Sequence, residues 1–148
     1  MLNTLKLMKM GMLTAAVMMF ATPFAQSAQI AARLIHATNA AASSGETGLQ
    51  ENEPRLAKAF GWREYRLLSQ TTSSLREGEI RQLDLGRKLA LRVKLLKQQG
   101  TVYLVRCQLL RGEDEIVQTS VSMSSGSAYF ITGPEHDNGQ LLISIAIR

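Results

Sequence analysis

The chain has 148 residues, of which 17 are basic and 12 acidic, and it carries a net charge of +5. This length is typical of one domain, and the mild basic excess does not by itself indicate nucleic-acid binding. Cys107 is the only cysteine. An internal disulfide is therefore excluded, and a hydrophobic core has to stabilise the fold.

The first 27 residues have the pattern of a secretory signal peptide. Two lysines precede the apolar run 11–20, and Ala25 and Ser27 are small residues at the positions that a signal peptidase reads. The run is shorter than the roughly 20 residues that cross a bilayer, although an uncleaved anchor is the alternative. We expect cleavage after Ser27, or next after Ala28, and a periplasmic or secreted protein that has no membrane span after cleavage.

The remaining residues, 28–148, are predicted to form a single β-rich domain. Residues 29–36 alternate in hydrophobicity as a first strand does. The segment 37–53 has almost no large apolar residue, which predicts a mobile loop that is either functional or disordered. A short helix is predicted to begin with Asn52 as its N-cap and to end at Gly61.

Seven further strand patterns follow the helix at short intervals. They cover residues 62–70, 80–85, 88–97, 101–110, 115–123, 128–132 and 140–148. Residues 71–76 are predicted to form a polar turn, and Gly133-Pro134 is predicted to end the seventh strand. The last strand is apolar on both faces, which predicts a central position in a sheet. The fold class is therefore mainly β, a two-layer β-sandwich-like domain of about eight short antiparallel strands with one short helix.

The pattern is clearest from residue 88 to residue 123, where apolar side chains occupy the odd positions of three successive strands. This predicts an antiparallel meander with one buried face. A three-residue turn at Gln98-Gln99-Gly100 predicts that Leu95 pairs with Tyr103. The turn at residues 112–114 predicts that Leu109 pairs with Val117.

Three cations, Arg92, Lys94 and Arg106, share the even face of the meander. The predicted register places Arg92 opposite Arg106, and like charges in that position are unfavourable. An anionic partner could offset them, and so could Glu113 or Glu115, or solvent. No aromatic residue lies on this face, so we expect no nucleic acid as a partner. The three cations are the candidate binding residues for a polyanion.

Aromatic residues cluster where the predicted helix meets the next strand. Phe60, Trp62 and Tyr65 either line a pocket or fix the helix to the sheet. Together with Asn39 they carry a resemblance to small exported bacterial hypothetical proteins that have no assigned function. The resemblance implies export and a single β-rich domain, and it assigns no role to any residue.

No combination of residues indicates catalysis. The sequence has no G-x-S-x-G motif, and the spacing of His36 and His136 does not suggest a triad with serine and an acid. The parity of Cys107 places it in the core rather than in a reactive setting. The loop Glu135-His136-Asp137-Asn138 groups possible metal ligands, but adjacent residues point in different directions. We expect no catalytic residue, no metal and no cofactor.

These patterns predict a non-enzymatic, exported interaction or adaptor module of the bacterial cell envelope, with an envelope protein as its partner. One alternative is a binder of an anionic glycan or another polyanion through the basic sheet face. A second alternative is a small hydrolase that uses His36 or His136.

Expression of the full chain in a bacterium should yield an exported protein that begins at Ala28, because Ser27 is the last residue of the small-residue cleavage motif. Intact mass spectrometry of the periplasmic fraction checks this. A product that keeps residues 1–27 and remains with the membranes would show the uncleaved anchor instead.

Overall fold

The computed structural model describes residues 27–39 and 53–148. In these ranges the chain forms one helix and eight strands. They are β1 (Ala28–Thr38), α1 (Glu53–Phe60), β2 (Glu64–Leu75), β3 (Ile80–Gly86), β4 (Leu89–Gln99), β5 (Val102–Arg111), β6 (Asp114–Ser124), β7 (Ala128–His136) and β8 (Gly139–Ile147). The predicted leader up to residue 26 and the part of the predicted loop from 40 to 52, including the N-cap Asn52, lie outside the described residues.

The strands form two four-stranded antiparallel sheets. Sheet I has the order β2-β1-β8-β7, and sheet II has the order β3-β4-β5-β6. The predicted fold class, a mainly β, two-layer antiparallel sandwich with one short helix, is confirmed. As predicted from its two apolar faces, β8 lies inside its sheet, between β1 and β7.

The core lies between the two sheets and follows the predicted odd and even faces. Leu91, Val105 and Ile143 are fully buried, with none of their surface exposed. Cys107 lies in the same cluster, as its parity predicts. Alternation along each strand therefore decides which side chains leave water, and the opposite face of sheet II keeps the charged residues.

The predicted register of β4 and β5 is wrong by two residues. Leu95 pairs with Val105 rather than with Tyr103. The cause is a bulge at Leu96 combined with a tighter turn, since Gln99 already pairs with Val102 across Gly100, whose φ is 57°. A shift by two keeps every side chain on its face, so the buried set is unchanged. The second predicted pair, Leu109 with Val117, is confirmed.

Strands β1, β2 and β7 continue past their predicted ends. β1 continues to Thr38, so Ala37 and Thr38 belong to a strand and not to the predicted mobile loop. β2 continues through the expected polar turn to Leu75, and Thr71 in this part donates a hydrogen bond to Asp84 O over 3.0 Å. Side-chain bonds of this kind hold a polar strand that has few apolar residues to bury. β7 continues past Gly133-Pro134 to His136, with a change of register between Thr132 and Glu135. Proline is tolerated there because β7 is an edge strand.

The helix covers the outer face of sheet I. Leu56 of α1 packs with Ile35, Tyr65 and Leu142, all at most 1 % exposed. The helix ends before Gly61, whose φ of 77° is the left-handed conformation expected of a C-terminal cap. No helix in the described part of the chain is long and apolar enough to cross a membrane.

Substitution of Leu91 by alanine should lower the free energy of unfolding by about 2–5 kcal/mol, because it leaves a cavity between the sheets. Leu104, which is 38 % exposed on the neighbouring strand, is the matched control, and Leu104→Ala should cost no more than about 0.5 kcal/mol. Urea unfolding followed by circular dichroism measures both. Equal losses would contradict the assignment of the buried face.

Candidate functional site

The outer face of sheet II carries the three cations that the sequence analysis selected. We call Arg92, Lys94 and Arg106 the basic face. Lys94 lies directly opposite Arg106, and Arg92 lies in the next cross-strand row, opposite Gln108. Arg92 also donates a hydrogen bond from Nη2 to Gln82 Oε1 over 3.3 Å. All three cations border the same surface hollow.

The prediction that Arg92 lies opposite Arg106 is wrong. Because the tighter turn and the bulge at Leu96 together shift the register by two residues, Lys94 occupies that position. The shift replaces Arg92 with Lys94, another cation on the same face, so a positive charge still lies opposite Arg106. Two positive charges face each other across β4 and β5, which is unfavourable unless an anion or solvent offsets them.

The hollow among these cations has a volume of about 130 Å³. Gln108 and Ile80, which is 53 % exposed, complete its lining. In residues 27–39 and 53–148, no ion pair joins the basic face to a carboxylate. Glu115, one of the acidic residues expected to offset the charge, is opposite Leu110, roughly 13 Å along β5 from Arg106.

A second concave site lies at one end of the sandwich, between the β3–β4 turn, the end of β5 and the β7–β8 hairpin. We call it the end cleft, and its volume is about 330 Å³. The buried Leu89 and Leu141 close its inner side. The remaining lining residues are Arg87, Arg111, Pro134, Glu135 and His136.

The two histidines, 100 residues apart in sequence, meet beside this cleft. His36 Nε2 lies 2.9 Å from the backbone oxygen of His136, and the two rings are in edge-to-face contact at 5.5 Å. Gly139 permits this approach, because a Cβ there would lie 2.8 Å from His36 Nε2. The pairing of β1 with β8 brings the two histidines together.

The hydrogen-bond partners of the histidines do not form a catalytic triad. His36 contacts a carbonyl oxygen, and His136 contacts Arg87 and Asp137. Within the described ranges neither imidazole is bonded to a serine or threonine hydroxyl, which nucleophilic catalysis of this type requires. The described residues also contain no group of three histidine, cysteine or acidic side chains that could hold a metal ion.

The aromatic corner joins the helix to sheet I. Tyr65 is 1 % exposed; its hydroxyl donates to Leu56 O over 2.8 Å and accepts from the Trp62 N–H over 3.1 Å. Burial raises the pKa of Tyr65, and the hydrogen bond from Trp62 partly opposes the rise. The Phe60 ring packs edge to face on Phe130 at 5.7 Å. These contacts support the fixing role of the three aromatics, and their role as a pocket stays a prediction.

Asn39 belongs to the same corner. Its Oδ1 accepts a hydrogen bond from the Arg63 N–H over 3.2 Å, so the end of β1 is tied to the segment between α1 and β2. The four residues that carry the resemblance, Asn39, Phe60, Trp62 and Tyr65, therefore all lie at the helix–sheet junction. A structural role accounts for all four.

Cys107 is fully buried between the sheets. Burial raises the pKa of its thiol to about 12, so the reactive thiolate is not formed at neutral pH. The side chain acts as a small hydrophobic residue of the core, as the sequence analysis predicted.

No family model matches the chain, and neither a curated protein nor a solved structure matches it.

In the native protein Cys107 should not react with Ellman's reagent at pH 8 and should react stoichiometrically in denaturant, because the raised pKa and full burial both protect it. As the pH rises from about 9 towards 12, unfolding should become easier, since only the unfolded chain ionises the thiol freely. Cys107→Ala should remove that part of the pH dependence. Rapid labelling of the native protein would contradict the prediction.

Proposed function

We propose that the protein is an exported, non-enzymatic binding module of the bacterial cell envelope that holds an anionic polymer on its basic face. The observation that carries the proposal is the direct opposition of Lys94 and Arg106, with Arg92 in the adjacent row and no carboxylate paired with any of them among the described residues. The pattern of the leader supports export.

An anion on the basic face would offset an unfavourable arrangement within the protein. Directly opposite residues of an antiparallel pair have Cα atoms only about 4.5–5.5 Å apart, so Lys94 and Arg106 repel each other. Arg92 lies one row away, roughly 7 Å along β4. A chain with repeated negative charges could contact all three cations at once.

The chemistry of the surface favours an acidic glycan over a nucleic acid. Single-stranded nucleic acids are held by aromatic side chains on which bases stack, and the one aromatic residue of sheet II, Tyr103, is buried. The hollow instead offers the amide of Gln108 and the apolar side chain of Ile80. Amide and aliphatic contacts suit the hydroxyl groups and ring faces of a sugar.

A protein partner is the second candidate. Val102 and Leu104 lie on the same face of β5, and they are two of the four large apolar side chains of sheet II that are substantially exposed. The four are Ile80, Val102, Leu104 and Ile116. A partner that binds through them would be retained at high salt, whereas a polyanion would be released, because salt screens exposed charges within a Debye length of about 8 Å at 0.15 M.

Arg106→Glu should weaken binding of the mature protein to immobilised heparin by roughly thirtyfold at low salt, because each charge near an anionic surface contributes about 1 kcal/mol. The slope of log affinity against log salt should also become less steep. Arg63→Glu is the matched control, since it makes the same charge change at the exposed residue between α1 and β2.

The proposal fails if Arg63→Glu and Arg106→Glu weaken heparin binding equally, because net charge alone would then explain the binding. Retention of an envelope protein at 1 M salt by both wild type and Arg106→Glu, abolished by Leu104→Asp, would instead support the protein partner.

A further inference from the structure

The end cleft holds two arginines that have no ion-pair partner among the described residues. Arg87 comes from the β3–β4 turn and Arg111 from the end of β5. The apolar Leu89 and Leu141 lie behind them, which strengthens any charge interaction formed in front of them. The volume of about 330 Å³ is at the lower end of the range for small-molecule sites, roughly 300–1,000 Å³.

His136 makes two contacts that compete for one nitrogen atom. Its Nε2 lies 2.8 Å from Arg87 Nη1 and 3.0 Å from Asp137 Oδ2. A neutral imidazole nitrogen either accepts a hydrogen bond from arginine or donates one to a carboxylate, and it cannot do both. When His136 is protonated, Nε2 can only donate, so the bond from Arg87 is lost. Protonation of His136 therefore removes the atom that accepts the hydrogen bond from Arg87.

The backbone at Arg87 is also in an unusual conformation. Arg87 and Lys88 form the β3–β4 turn with φ values of 54° and 64°, a region that long side chains rarely adopt. The neighbouring β7–β8 turn uses Asp137 and Asn138 at 44° and 56°, and those residue types tolerate the left-handed region well. Strained residues held by a stable scaffold concentrate at binding and catalytic sites.

We propose that the end cleft binds one small oxyanion, such as a carboxylate or phosphate group, between Arg87 and Arg111, and that protonation of His136 strengthens the binding. The oxyanion takes the hydrogen bond that Arg87 gives to His136 in the free protein. His136 is then free to donate to Asp137. This site is distinct from the basic face and does not depend on an anionic polymer.

The charged groups around His136 define the expected pH response. His36 faces it from β1, Arg87 from the β3–β4 turn and Arg111 from β5, while Glu135 and Asp137 flank it on its own hairpin. Glu135 opposes an anion at all pH values at which it is ionised. Histidine is the side chain that ordinarily changes charge between pH 5 and pH 8, so a change of affinity in that range reports on the two imidazoles.

Sulfate is a suitable probe, because it keeps its charge over this pH range. Titration of the mature protein with sodium sulfate, followed by NMR at constant ionic strength, should give an affinity that rises about tenfold from pH 8 to pH 5. Saturable shifts should occur at the β3–β4 turn and the β7–β8 hairpin. Shifts that never saturate, or that spread over the basic face, would overturn the proposal.

Arg87→Asn separates binding from folding. Asparagine accepts a positive φ, so the variant should melt at the same or a higher temperature, while sulfate affinity should fall at least tenfold with the loss of a charged hydrogen bond. Lys88→Asn is the matched control, with the same loss of charge and the same backbone relief, and its sulfate affinity should stay within about twofold of wild type. Equal losses in both variants would refute the site, and Arg111→Gln gives an independent check with an expected loss of similar size.

His136→Gln should flatten the pH dependence of sulfate binding, and His36→Gln should leave most of it in place. The reverse result would overturn the role of His136. Methyl phosphate and glucuronate, compared at pH 7.5 on wild type and Arg87→Asn, show which oxyanion class the cleft prefers. Arg106→Glu should leave sulfate affinity unchanged, so that failure of the polymer proposal and failure of this one can be told apart.

Discussion

The packing of sheet I against sheet II, which removes one face of each strand from water, is the constraint on which the other features depend. Leu91 and Ile143 are completely withdrawn from solvent, and burial of such side chains is the main driving force for folding. Because neighbouring side chains point to opposite sides, the same packing places Arg92 and Lys94 outside. The basic face is the outer face of the sheet whose inner face forms the core. A register slip by one residue would therefore expose the core residues and bury the cations.

The ends of the sandwich are subject to a different constraint, because no further sheet closes them. At the end that holds the cleft, Leu89 and Leu141 are the last buried side chains, and charged residues follow directly. A charge beside an apolar wall interacts more strongly than one on an open face. We therefore propose different anions for the two sites, an extended polymer for the broad, exposed basic face and a single group for the small end cleft.

The faces of the strands and the antiparallel β4–β5–β6 meander could be predicted from the sequence, but several strand ends, one register and the pairing of distant strands could not. The apolar residues at odd positions identified the side chains that are buried between residues 88 and 123, including Cys107. The β4–β5 register was missed because two deviations combine, a turn tighter than the expected three-residue loop and a bulge at Leu96. The polar end of β2 was missed because its support comes from bonds such as that of Thr71 to the backbone of β3. The meeting of His36 with His136 depends on strand order, which no local pattern contains.

Turn geometry accounts for the conformation of residue 87 but not for its identity. A two-residue hairpin favours the type I′ turn, whose twist matches that of the strands, and that turn requires positive φ at both central residues. Asparagine or glycine meets this requirement at the lowest cost, and Asp137-Asn138 comes close to it. Arg87 meets it poorly, although its Nη1 lies 2.8 Å from His136 Nε2. Arg87 nevertheless lines the end cleft together with Arg111. What the arginine contributes at position 87 is therefore a positive charge in the cleft and not a favourable turn.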